Sequence, residues 1–156
     1  MTTRAESTQQ LEHELSVLIR RIKRVVGERA REVHPELQSA SYWMFTHLAE
    51  NGPLRASALA ELFEIDKGAV SRHVQHLLDI GLVDRAPDPD DGRASMLSVS
   101  EEGGRRLADV TEHRRKWFSE VLGEWQDDEL ADFAAELTRY NATIDRARAR
   151  DAEARR

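Results

Sequence analysis

Cysteine is absent from all 156 residues. That excludes disulfide bonds, thiolate metal sites and cysteine-based peroxide sensing together. Long uncharged apolar runs are missing too, so no membrane span is expected. The opening MTTRAESTQQ has no apolar core of the signal-peptide kind, which makes a cytoplasmic address the expectation. Basic excess is also lacking: 23 Lys and Arg face 29 Asp and Glu, a net charge of −6, whereas nucleic-acid binders usually run positive. Proline occurs only at positions 35, 53, 87 and 89, and each marks a break between patterned segments.

What remains is ordinary for a soluble helical protein, with 40% hydrophobic and 33% charged residues in a chain long enough to bury a real core. Apolar residues at Leu11, Leu15, Leu18, Ile19, Ile22, Val25 and Val26 have helical spacing. This helix is expected to end near Val33, because Pro35 disfavours helix at the residue before it. A second helix, about Ser39 to Glu50, is rich in large side chains and stops at Asn51-Gly52-Pro53. A short third helix covers Ala56 to Phe63. Asp66 is placed to cap the fourth, which runs to about Ile80 and closes on Gly81. Strand patterns follow at Leu82–Arg85 and Ser95–Val99, around Pro87-Asp88-Pro89-Asp90-Asp91-Gly92-Arg93. Ser100 caps a long helix. Gln126-Asp127-Asp128-Glu129 opens a last one, whose acidic start suits the helix dipole and whose tail is expected to fray from Arg146.

The stretch Leu59–Val99 is the most informative. Two short helices joined by a turn, then a hairpin with arginine at its tip, make a device sized to grip duplex DNA. The fourth helix carries Lys67, Ser71, Arg72, His73, Gln75 and His76 on and around its polar side. Residues 53–100 hold five Lys and Arg against eight Asp and Glu. Any attraction to DNA must therefore be a narrow positive strip, since screening confines charge effects to about 8–10 Å. Arg72 can pair with both acceptors of a guanine. Gln75 and His76 lie one turn further along the same face. Arg93 suits the narrow minor groove of A-tracts, with Asp91 able to orient it by a charge-assisted bond. Arg55, Lys67, Ser39 and Ser71 are candidates for phosphate contacts, which position the protein without reading sequence. His73 and His76 have metal-compatible spacing, but no convincing further donors stand nearby, so no metal or cofactor is expected.

Nothing suggests an enzyme: there is no nucleophile–base pair with supporting spacing, no phosphate-cradling glycine loop and no ligand set. A winged helix used for protein contacts is the other alternative, and the acidic balance keeps it open. The terminal helices cannot all bury their apolar faces on so small a winged core. Two-fold pairing through helices near both termini would solve this.

LAELFEIDKGAVSRHVQHLLDIGLVDRAPDPDDGR followed by LSVSEEGGRRL resembles the MarR family, the multiple-antibiotic-resistance type of winged-helix regulator. The order of flanking helices agrees, so the resemblance spans nearly the whole chain. It implies a mainly α fold with a small β-hairpin wing. Residues 1–36 would form an N-terminal dimerisation helix, 37–100 the DNA-binding domain and 101–156 the C-terminal dimerisation helices. It further implies a homodimer that represses or activates genes from a palindromic operator and responds to a small aromatic or anionic effector. By the same resemblance, residues matching Arg72 and His76 reach base edges, and one matching Arg93 enters the minor groove, steadied by Asp91. Tyr42, Trp43, His47, His113 and Trp117 would line the effector cavity, although aromatic residues at helical spacing are more often core. Two positions depart from the family pattern. Glu64 stands in the turn where glycine is common, and Gly92 holds a wing-tip place where many relatives are basic.

Overall fold

Chain direction is set by five breaks between helical segments, and the computed structural model, which describes residues 3–154, places them close to those expected. The elements are α1 (Arg4–Val33), α2 (Ser39–Asn51), β1 (Leu54–Arg55), α3 (Ala56–Phe63), α4 (Lys67–Asp79), β2 (Val83–Pro87), β3 (Ser95–Val99), α5 (Glu101–Val121) and α6 (Asp127–Ala154). They divide into two units, one ending at Glu112 within α5 and the other beginning at His113.

In the first unit α1 starts at Arg4, about two turns before its apolar pattern begins at Leu11. Thr3 and Glu6 form a reciprocal capping box there, which satisfies two free main-chain donors. Only the last part of α1 is buried, through Val26, Ala30 and Val33, while Leu11, Leu18, Ile19 and Ile22 face outward. The core continues through Leu37, Met44, Phe45 and Leu48, then Leu59, Val70, Val74 and Leu77, and closes on Leu82, Val83 and Leu97.

The wing is a three-stranded antiparallel sheet in the order β1-β3-β2, not the two-stranded hairpin expected. Leu54 pairs with Leu97 and Arg55 with Met96. Val83 pairs with Val99 and Pro87 with Ser95. β1 is only two residues long, too short to show an alternating pattern.

Caps do much of the positioning. Asp66 Oδ1 accepts from the Ala69 N–H at 2.9 Å, as expected at an N-cap. Glu64 ends α3 with φ 51°, the left-handed conformation, so the residue that replaces glycine in this turn still adopts glycine's geometry. Gly81, at φ +73°, turns the chain from α4 toward the wing. Ser100 Oγ accepts from the Gly103 N–H at 3.0 Å and donates to the Gly81 carbonyl at 2.7 Å. One side chain thereby caps α5 and ties it to the turn after α4.

In the second unit α6 stays helical to Ala154 rather than fraying from Arg146. Trp117 packs edge-on against Phe118, and Trp125 lies tilted against Phe133. Trp117, Phe118, Val121 and Phe133 are nonetheless largely exposed. No residue of α6 is buried. No helix among the described residues is long and apolar enough to cross a membrane.

Candidate nucleic-acid interface

α4 buries Val70, Val74 and Leu77 on one side, which leaves Lys67, Ser71, Arg72 and Gln75 exposed on the other. This sidedness follows from the 3.6-residue period. Arg72 extends along the helix surface toward Gly68, where a β-carbon would crowd the capping carboxylate of Asp66 at 2.9 Å but lie at ordinary contact distance from Arg72. Gln75 donates to Asp79 Oδ1 at 2.7 Å, a one-turn brace on the same face.

The two histidines of α4, expected among the DNA-facing side chains, are turned toward protein partners. His73 Nδ1 lies 3.0 Å from Ser41 Oγ, and Ser41, on α2, is fully buried. His76 Nε2 donates to the Glu36 carbonyl at 2.9 Å. Helical spacing predicts the flank that carries both rings, but the partners lie 32 and 40 residues away. Among the described residues no three His, Cys, Asp or Glu side chains gather to hold a metal.

At the wing, Arg93 is exposed at the tip, as expected. Asp91 does bond to it, but through the main chain: Asp91 Oδ1 accepts from the Arg93 N–H at 3.1 Å, not from the guanidinium. A second such turn precedes it, with Asp88 Oδ1 accepting from the Asp90 N–H at 2.8 Å. The Asp88 N–H donates to the Ala94 carbonyl and the Ala94 N–H to the Asp91 carbonyl. Short acidic side chains thus fold the tip on their own backbone, and the guanidinium of Arg93 is left free of that work.

Arg55, expected at a phosphate, instead points its Nε at Asp88 Oδ2, 2.5 Å away. Asp88 is buried although its side chain is a carboxylate, which requires such a partner. Bonds from Arg55 and from the wing main chain hold the Asp88 carboxyl below its ordinary range, and the same pair raises Arg55. The clasp joins β1 to the base of the wing tip. Nothing local in the sequence marks Asp88 for this role, because its partner comes from 33 residues earlier.

Of the five expected effector contacts, Tyr42, Trp43 and His47 lie on α2, and His113 and Trp117 lie in the second unit. Tyr42 belongs to the core and meets Trp43 edge-on. Trp43 is 48% exposed. His47 packs edge-on against Phe63 and lies 3.2 Å from Asn51 Nδ2. A cleft of about 380 Å³ beside the clasp, walled by Leu54, Arg55, Glu61, Asp88 and Met96, contains none of these five.

Comparison with known proteins agrees with this geometry. Residues 37–94, which span α2 through the wing tip, match the family model described as MarR family. The chain is 32% identical over 131 residues to an uncharacterized HTH-type transcriptional regulator, YxaD of Bacillus subtilis strain 168, covering 84% of this chain and 90% of that one. It is 32% identical over 117 residues to a second, Mb0904 of Mycobacterium bovis, covering 75% and 80%. The fold superposes on the crystal structure of RV1404 from Mycobacterium tuberculosis with a TM-score of 0.76 at 22% identity, covering 91% and 97% of the two chains. For apo MarR from E. coli the TM-score is 0.66 at 18% identity, covering 83% and 95%. The exposed face of α4, the three-stranded wing and this kinship lead to one conclusion: the chain belongs to the MarR family of winged helix-turn-helix, DNA-binding transcriptional regulators.

Proposed function

We propose that the protein is a homodimeric, cytoplasmic repressor without enzymatic activity that reads a palindromic operator. α4 of each copy would lie in a major groove and each wing tip in the flanking minor groove, half-sites one helical turn apart. The observation that carries this reading is the joint exposure of Ser71, Arg72 and Gln75 on α4 and of Arg93 at the wing tip. These side chains have the donors that base edges and a narrow minor groove attract. The acidic balance of the chain favours contacts of this placed kind over general affinity for DNA.

Pairing is supported by the apolar side chains left uncovered: Leu11, Leu18, Ile19 and Ile22 on α1, and Trp117, Phe118, Val121 and Phe133 in the second unit. Each large apolar side chain gains about 1.5–3 kcal/mol on full burial. That is ample reason for helices near both ends of the chain to serve as dimerisation helices. A small aromatic or anionic effector that favours a lobe arrangement unsuited to the operator would lower DNA affinity by the same factor that DNA lowers its own.

Titration of the purified chain against the duplex upstream of its own coding sequence, beside a scrambled duplex and at two salt concentrations, tests the reading. Tight binding to the first alone, by a dimer, is the expected result. Equal and weak binding to both would remove it and favour a winged helix that contacts protein.

A further inference from the structure

The joint between α1 and α2 is short, residues 34–38, and several of its main-chain groups have assigned partners. The His34 N–H bonds the Ala30 carbonyl and the Leu37 N–H bonds the His34 carbonyl. The Glu36 N–H bonds His34 Nδ1 at 3.2 Å, and Pro35 has no N–H to satisfy. Two carbonyls at or beside this joint are met from distant helices. The Val33 carbonyl receives Arg106 Nη1 of α5 at 3.1 Å. The Glu36 carbonyl receives His76 Nε2 of α4 at 2.9 Å. Arg106 is itself held by Glu102, whose carboxylate accepts its Nε at 2.6 Å.

Arg106 thus fastens α5 to the end of α1, and His76 fastens α4 to the joint just beyond it. His73, one turn earlier on the same flank of α4, reaches the buried Ser41 of α2. Two tethers on one flank oppose rotation of α4 about its own axis, in addition to the packing of Val70, Val74 and Leu77. Rotation is the motion that would swing Arg72 and Gln75 away from a groove.

We propose that His76 and His73 are positioning residues for DNA recognition rather than base-reading ones, setting the roll of α4 against the end of α1 and against α2. The proposal rests on the reading that α4 enters the major groove. It assigns a structural cause to the angle at which Arg72 is presented. It also makes the α1–α2 joint part of the DNA-reading apparatus.

Imidazole nitrogens have amide counterparts, and these give a test. Glutamine places its Nε2 where histidine has Nε2, and asparagine places its amide near Nδ1. With a duplex enriched by the full-length chain from a randomised pool, His76→Ala is expected to weaken binding about five- to tenfold, the range of one lost hydrogen bond. The loss should be equal for the enriched duplex and for each of its single-base variants, with the salt dependence unchanged. His76→Gln should recover most of the loss and His76→Asn should not. For His73 the order should reverse, with Asn the better replacement. In long-range nitrogen–proton spectra of the free wild-type protein, His76 should appear as the Nε2–H tautomer.

Loss of preference at a single base pair in His76→Ala would overturn the proposal and return His76 to base reading. A salt dependence shallower by about one ion would make it a phosphate contact instead. Failure of the wild-type chain to enrich any duplex would overturn the groove reading itself, and the proposal with it.

Discussion

The carbonyl oxygen of Leu82 fills the space a side chain at Gly103 would need: a β-carbon there would overlap it and lie 3.1 Å from Phe45 Cε2. Glycine is a poor helix former, and replacing it with alanine inside a helix ordinarily gains about 1 kcal/mol. Here the neighbour is backbone at the root of the wing, which cannot turn aside as a flexible side chain would. Gly103→Ala should therefore cost about 1–3 kcal/mol, the range for overfilling a packed site. Thermal unfolding measures it, and an unchanged or raised midpoint would contradict the contact.

Arg72→Ala should lower operator affinity by about 1–3 kcal/mol and relax preference at one base pair. A loss spread evenly over all sequences would place Arg72 on a phosphate.

Arg93→Ala should weaken binding most where the operator flanks are A·T-rich, since a narrow minor groove concentrates the negative potential that attracts arginine. Competition between duplexes with A·T-rich and G·C-rich flanks reads this directly. Equal loss on both would deny the wing tip its groove.

The Arg55–Asp88 clasp should make the wing sensitive to acid. The folded carboxyl of Asp88 sits below its ordinary value, first through the hydrogen bond from Arg55. Its contribution is therefore complete above the unfolded carboxylate's pKa and is lost as pH falls through the folded one. Asp88→Asn should lower the melting midpoint at neutral pH and approach wild type in acid. Parallel curves at every pH would show that the ionised clasp contributes nothing. Glu102, held at about 2 by Arg105 and Arg106, should add to the acid limb as pH falls from the ordinary value of 4.5 toward 2.

Ile19→Glu and Phe133→Glu each put a charge on an uncovered apolar face. Sedimentation should show each shifted from dimer toward monomer with helical content retained. A variant that stays dimeric would exclude its face from the interface.

Local chemistry made much of this chain readable in advance. Asp66, Gly81 and the capping bond of Ser100 act on main-chain groups within a few residues, so the sequence around each contains both partners. Thr3 and Glu6 also carried a local signal, which the later onset of apolar periodicity at Leu11 obscures. The wing's third strand was not legible, because two residues cannot alternate long enough to show a pattern. Nor were the partners of His73, His76 and Arg55 legible. Periodicity tells which flank of a helix a side chain leaves from, but the group it meets is decided by how separate segments come together. For the same reason the exposed residues of α4 were the easier half of the site: exposure needs no partner.

β2 runs along the outer edge of the wing sheet, with its main chain paired on one side only. Asp84 and Arg85 project from its exposed stretch, and it ends on Pro87, which has no N–H to offer. On the opposite edge, β1 stops after two residues. Both borders thus refuse a further strand, by charge and proline on one side and by shortness on the other. Two wings crowded onto neighbouring sites would have little means of stitching themselves together, and the sheet can stay small and keep its edges open to solvent without seeding aggregates.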